Sequence, residues 1–302
     1  MTNELPNVSV APPPDAVATF DRYALALIDF LGQSRELKEW DFRPQTSDEI
    51  AKWQRAVQNT LGRVQTWREK FENAFREHET KHRQTLDSVV AARPPDRREA
   101  IKRFGQTKLL FRYFSDTVIV YTTLQNEHGF PQISSLCGLI ATCGSLLLEG
   151  LVSGAPMRGA IEVGVLSHFP TGDPYGPALA CAHHMESKQA DYPRILVGPR
   201  LLSYLDELDA DTRHDAPRQA IRRGVAACRA MLTRDAEGHT MIDYLNDPRP
   251  TISGPHPELA EIRDDAFRII VAQRDRFERA GEVKIAGKYG RVEQYFRSRG
   301  AQ

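Results

Sequence analysis

The apolar residues of this 302-residue chain fall into runs with two different periods. Residues 22–32, RYALALIDFLG, are almost unbroken apolar sequence with an acid, Asp29, near the end. Such a run reads as a strand buried on both faces, with one acid at its exit. Residues 47–79 repeat instead at steps of three and four. Ile50, Trp53, Val57, Leu61, Val64, Trp67, Phe71 and Phe75 share one helical stripe, and the opposite face is charged. Thr46 and Glu49 have the spacing of a capping box, which sets the start of that helix. Residues 79–100 are polar and charged, and Pro94-Pro95 breaks any helix before it. Residues 108–124, KLLFRYFSDTVIVYTTL, place two β-rich runs around Ser115-Asp116 and read as a hairpin with an acid at its tip.

Further along, 131–152 reads as an apolar helix, 157–166 as a buried strand, 176–190 as a helix and 193–198 as a short strand. Residues 199–206, 216–234 and 257–279 read as helices, the last opening on Pro257. GEVKIAGKYG, 281–290, reads as a late strand or turn. Strands and helices alternate, which predicts one α/β or α+β domain over 19–302. It carries a long helical insertion at 47–100 and a C-terminal helix and tail at 257–302. Residues 1–18, with Pro12-Pro13-Pro14 and little apolar surface, read as disordered.

Composition narrows the function classes. Lys and Arg number 40 and Asp and Glu 40, so no broad basic surface is available for nucleic acid, although a local anion site is compatible with that balance. The four cysteines, Cys137, Cys143, Cys181 and Cys228, form no CxxC pair and no disulfide framework. The first residues lack the basic and apolar regions of a secretory signal. The most apolar stretch, 136–152, is interrupted by Ser145, Glu149 and glycines and reads as a buried helix. A cytoplasmic protein with no membrane or nucleic-acid partner is expected.

Asp29 and Asp116 are the strongest chemical candidates. Each lies at the end or tip of a β-rich run, where an ionised carboxylate must be paired, solvated or metal-bound. Two such acids on adjacent strands suit Mg²⁺ or Mn²⁺, and two turn or capping aspartates are the plainer alternative. His183 and His184 are neighbours on a helix and point apart, so they do not form a zinc pair. Cys181 and Cys228 read as small core residues.

IDFLG (28–32), FSDTVIV (114–120), MRGAIEVG (157–164) and DPYGPALACAHHMES (173–187) occur in that order. Together they resemble the catalytic domain of class III nucleotidyl cyclases, over 22–34 and 107–200, about a third of the chain. The resemblance implies a ferredoxin-type sheet flanked by helices. It implies two Mn²⁺ or Mg²⁺ ions held by Asp29, Asp116 and the backbone carbonyl of Phe30. Arg112 takes the place of the family's base-contacting Lys, and Asp173 that of its base-specifying acid. The family's transition-state Asn and Arg fall on Ala180 and His184, and its Gly before the second metal Asp is Ser115.

The sequence is similar in particular to the bacterial pyrimidine cyclases of the Pycsar anti-phage system. The F-S-D hairpin, the G-P-A-L helix and the Tyr192-Pro193-Arg194-Ile195 strand entry carry that likeness. It implies synthesis of cyclic UMP, or cyclic CMP, as an alarm signal for a separate effector. The enzyme would be a homodimer with sites at the interface. Arg158, Arg194, Lys284 and Lys288 are candidates for the positive charge that a triphosphate needs; strand-end surface charges and a solvated tail are the alternatives. A purine cyclase and a catalytically dead nucleotide- or partner-binding module are the rival functions.

Overall fold

The apolar run near the start of the chain becomes β1 (Phe20–Phe30), hydrogen-bonded along both edges. This computed structural model describes residues 20–32, 43–92, 94, 109–126, 129–168, 173–210, 216–246 and 257–300. The expected disorder of 1–18 and much of the end of the insertion lie outside them. After β1 come α1 (Ser47–Ala91), β2 (Leu110–Phe114), β3 (Thr117–Thr123), α2 (Ile133–Val152), β4 (Met157–His168), β5 (Pro174–Tyr175) and α3 (Pro177–Lys188). Then follow β6 (Ile195–Val197), α4 (Pro199–Asp209), α5 (Ala216–Ala230), β7 (Leu232–Arg234), β8 (Thr240–Ile242), α6 (Pro257–Arg279) and α7 (Val283–Ser298). The strands form one sheet in the order β2-β3-β1-β4-β6-β8-β7, with β5 attached to β4. β2, β3, β1 and β4 are successive antiparallel neighbours, and β6 joins β4 in parallel. The protein is thus α+β, a mixed sheet flanked by helices.

Alternation along β1 sends its side chains to two faces. Phe30 points to one, where it meets Trp67 and Phe71 of α1 at ring separations of 6.0 and 6.3 Å. Phe111 of β2 meets Phe75 there at 5.7 Å. The stripe of α1 therefore covers the sheet from Trp67 onward. Trp67, Phe71 and Phe75 are buried, whereas Ile50 and Leu61 are 42% and 58% exposed. The capping box forms as expected: Thr46 N–H donates to Glu49 Oε2 at 3.1 Å, and Glu49 N–H to Thr46 Oγ1 at 3.3 Å. The helix runs well past 79, to Ala91.

The other face of β1 carries Tyr23, Leu25, Leu27 and Asp29. α3 packs on β4 and β1 there. α4 covers the same face further along, anchored by the buried carboxylate of Glu162, which accepts the N–H groups of Val163 (2.9 Å) and Leu201 (3.0 Å). Gly198 passes so close that a Cβ would fall 2.3 Å from Glu162 Oε2. Toward β2 and β3 the face stays open: Arg112 and Ile119 are half-buried, and Phe114 is exposed.

Two readings need correction. Residues 281–290 are neither strand nor turn: α7 begins at Val283 and takes Gly287 and Gly290 into its interior. Burial of Ala286, Val292 and Phe296 outweighs the low helix propensity of those glycines. The helix expected over 216–234 stops at Ala230, and residues 232–234 pair with β8 as a short hairpin. Its turn holds Gly238 at φ 86°, a conformation suited to glycine. Among the described residues, α2 is the one helix long and apolar enough to cross a membrane, and 72% of its most apolar window is buried inside the fold.

Candidate functional site

The registers on either side of β1 decide what Asp29 meets. It stands opposite Thr117 on β3 and Arg158 on β4, so these three side chains lie abreast on one face of the sheet. Thr117 Oγ1 is 3.4 Å from Asp29 Oδ1, and Arg158 Nε and Nη2 are each 3.4 Å from Asp29 Oδ2. All three contacts are long, so neither oxygen is held by a short hydrogen bond. Asp116 occupies the β2–β3 turn directly before Thr117, and its charge acts on Asp29. Glu186 arrives from the last turn of α3, buried, with Oε1 2.7 Å from Arg158 Nε. That contact is a charge pair outside hydrogen-bond geometry, because Oε1 has no hydrogen-bond partner.

Asp29 and Glu186 thus share one guanidinium, and the charge of Asp116 acts on both. Asp29 is pushed up to about 6 from 3.8, first by burial, then by the charges of Asp116 and Glu186, with Arg158 opposing. Burial also raises Glu186, with Arg158 and His183 pulling the other way and Asp116 adding to the rise. Burial is the larger cause of both shifts, and the neighbouring carboxylates add to it.

The positive side comes from α7. Burial depresses the Lys288 ammonium, and Arg158, Lys284 and Arg291 depress it further, while Asp191 opposes. Lys284, Lys288 and Arg291 recur at steps of four and three, a single helical row; Lys288 feels the charge of Arg158, while Arg291 is paired with Asp191 and Glu237. The helix that stands at 283–298, where a strand or turn was expected over 281–290, is what orders these lysines.

Arg112 and Asp173 are also brought together, with Arg112 Nε 3.4 Å from Asp173 Oδ1. Register places Arg112 opposite Ile119, and Ile119 opposite Leu27, so Arg112 shares the face of Asp29. Tyr121 lies beside this pair, its hydroxyl pushed up by burial and acted on by both charges. The Phe30 side chain points to the opposite face from Asp29, into the aromatic cluster with Trp67.

Arg194 is not brought to this site as a phosphate ligand. Its side chain is 0% exposed. Nη1 donates to the Tyr192 hydroxyl at 2.9 Å and to Asp235, and Nη2 to the Gln189 carbonyl at 2.6 Å and to Glu237 at 2.8 Å. The Tyr192-Pro193-Arg194-Ile195 segment therefore clamps the β7–β8 turn. Asp235, Glu237 and His239 of that turn hold ligand-type atoms within 4.8 Å of one another. Arg194 and Arg291 already neutralise the two acids.

Ala180, His183 and His184 are exposed on α3, while Ala178, Ala182, Met185 and Glu186 face inward. Cys228 is buried and Cys181 half-buried. Glu186 is the site residue that sequence reasoning passed over. Its signal was the Met185-Glu186-Ser187 end of the helix, read there only as part of a motif.

Comparison with family models, curated proteins and solved structures finds no match for this chain.

Proposed function

We propose that this protein is a metal-dependent nucleotidyl cyclase. It converts UTP, or CTP, into the 3′,5′-cyclic monophosphate and pyrophosphate. The carrying observation is at one end of β1, where Asp29 and Glu186 meet Arg158 and the charge of Asp116 acts on both carboxylates. The element order β1-α1-β2-β3-α2-β4 with strand order β2-β3-β1-β4 supports the ferredoxin-type sheet that the motifs imply. The donor set fits a hard divalent cation: carboxylate oxygens without short hydrogen bonds, under mutual repulsion.

In this reading Asp29, Asp116 and the Phe30 carbonyl hold two Mn²⁺ or Mg²⁺ ions. Bound there, divalent ions neutralise triphosphate charge and lower the pKa of the ribose 3′-hydroxyl. Arg158, kept in place by Glu186, faces the charge that develops at the α-phosphate. Lys284 and Lys288 receive the leaving pyrophosphate. Arg112 and Asp173, on the open part of the same face, read the base edge. A second copy of the chain seated on that open face would bring base-reading groups to the metal acids of its partner. Cyclic UMP or CMP would then act through a separate effector, as an anti-phage signal.

The test is direct. The purified protein is incubated with Mn²⁺ and each of the four nucleoside triphosphates in turn, and products are identified by mass spectrometry. Cyclic UMP or CMP is expected, and Asp29→Ala and Asp116→Ala are expected to abolish it while the fold persists. Cyclic AMP or GMP would replace the proposal with a purine cyclase, and absence of any cyclic product with a nucleotide- or partner-binding module.

A further inference from the structure

Ser115, directly before Asp116, has φ 53° and is the one non-glycine residue with positive φ among those described. A Cβ in that region crowds the backbone carbonyls, so the conformation persists only where the surroundings hold it. The surroundings come from α1. Arg68 Nη2 donates to the Ser115 carbonyl oxygen at 2.6 Å. The same guanidinium lies 4.7 Å above the Tyr113 ring, and the Tyr113 hydroxyl donates to Glu72 Oε1 at 2.6 Å. α1 therefore grips the end of β2 and the turn together. A groove of about 410 Å³, lined in part by Leu61, Val64, Arg68, Ser115 and Asp116, opens beside the turn. Packing on that side leaves the turn room to relax.

We infer that Arg68 is a positioning residue for Asp116, holding the β2–β3 turn in the left-handed conformation that aims this carboxylate at Asp29. The Ser115 carbonyl and the Asp116 N–H belong to one planar peptide. Anchoring the oxygen fixes the plane from which the Asp116 side chain leaves. The long insertion before β2 thus supports a metal acid in addition to covering the sheet. The inference rests on the proposed metal-binding role of Asp116.

The experiment uses the full chain and Mn²⁺ alone, with free ion read by electron paramagnetic resonance. Asp116→Ala is expected to lose binding. Arg68→Met keeps an unbranched side chain but removes the donor and the cation over Tyr113, and is expected to weaken binding about tenfold, as loss of an orienting partner does. Ser115→Val raises the cost of positive φ without altering charge and is expected to weaken binding similarly. Arg68→Met combined with Ser115→Gly is the decisive variant. Glycine adopts the turn unaided, so binding should return to near the native value. Weak binding that Ser115→Gly does not restore, or native binding in Arg68→Met, overturns the inference alone. Native binding in Asp116→Ala overturns the metal role of Asp116 as well.

Discussion

Asp29 is a charged group kept where charge is costly. Its folded pKa of about 6 lies above the unfolded 3.8, so the folded state binds its proton more tightly. Below both values the group costs nothing; as pH rises through that window the folded state loses stability, and above about 6 the whole cost is present. With the side chain 20% exposed, that cost is up to about 3 kcal/mol at neutral pH. Asp29→Asn should therefore raise the melting temperature of the metal-free protein by roughly 3–6 °C at pH 7.5 while abolishing turnover. The gain should shrink as the buffer approaches pH 4, which scanning fluorimetry across pH would read. Destabilisation at pH 7.5 would mean that Arg158 needs Asp29 more than burial penalises it. The acid itself stood out in the sequence, because a lone Asp ends an apolar run. Its pairing with Arg158 did not, since 129 residues separate them and only the antiparallel register of β1 and β4 joins them.

At the scale of elements, the β6 entry is a structural clamp. Arg194 reaches from the start of β6 to the turn between β7 and β8, where Asp235 is 3% exposed. Arg194→Met preserves much of the volume but leaves that buried carboxylate with its two backbone N–H donors, from Glu237 and His239, and without its guanidinium, at a cost of up to about 3–5 kcal/mol. A large fall in the urea midpoint is expected, partly recovered when Asp235→Asn is added, because the two changes remove one interaction. Normal stability with lost turnover would instead return Arg194 to the substrate. The long strand β1, the hairpin and the buried half of the α1 stripe were legible because each carries a periodic pattern of its own. α7 was not: its two interior glycines argue against a helix, and Phe296 packs on Phe267 of the preceding helix α6 and on Tyr244 beyond β8, contacts no local period reveals. β7 and β8, of three residues each, are too short to show any period.

Across the whole molecule, charge cancels in sum and separates in space. The 40 basic and 40 acidic residues leave no net field to attract a polyanion. Yet Lys284 and Lys288 on α7 put positive charge near Arg158, and the Lys288 ammonium is depressed first by burial and then by Arg158, with Asp191 opposing and Lys284 and Arg291 adding. In the proposed function a small anion is drawn by Lys284 and Lys288 locally, without a net field over the molecule. On the proposed cyclase function, Lys288→Ala should raise the KM for the nucleoside triphosphate by about tenfold, with kcat changed less, because that proposal gives Lys288 a charge-assisted contact to phosphate. The native KM should rise with ionic strength, and the variant's should rise less steeply. Because the Lys288 ammonium is depressed, the native KM should begin to climb at a lower pH than an ordinary lysine would impose, and that climb should vanish in the variant. Equal KM values for the two proteins, at every salt concentration, would remove α7 from the substrate site and leave its lysines as surface charge.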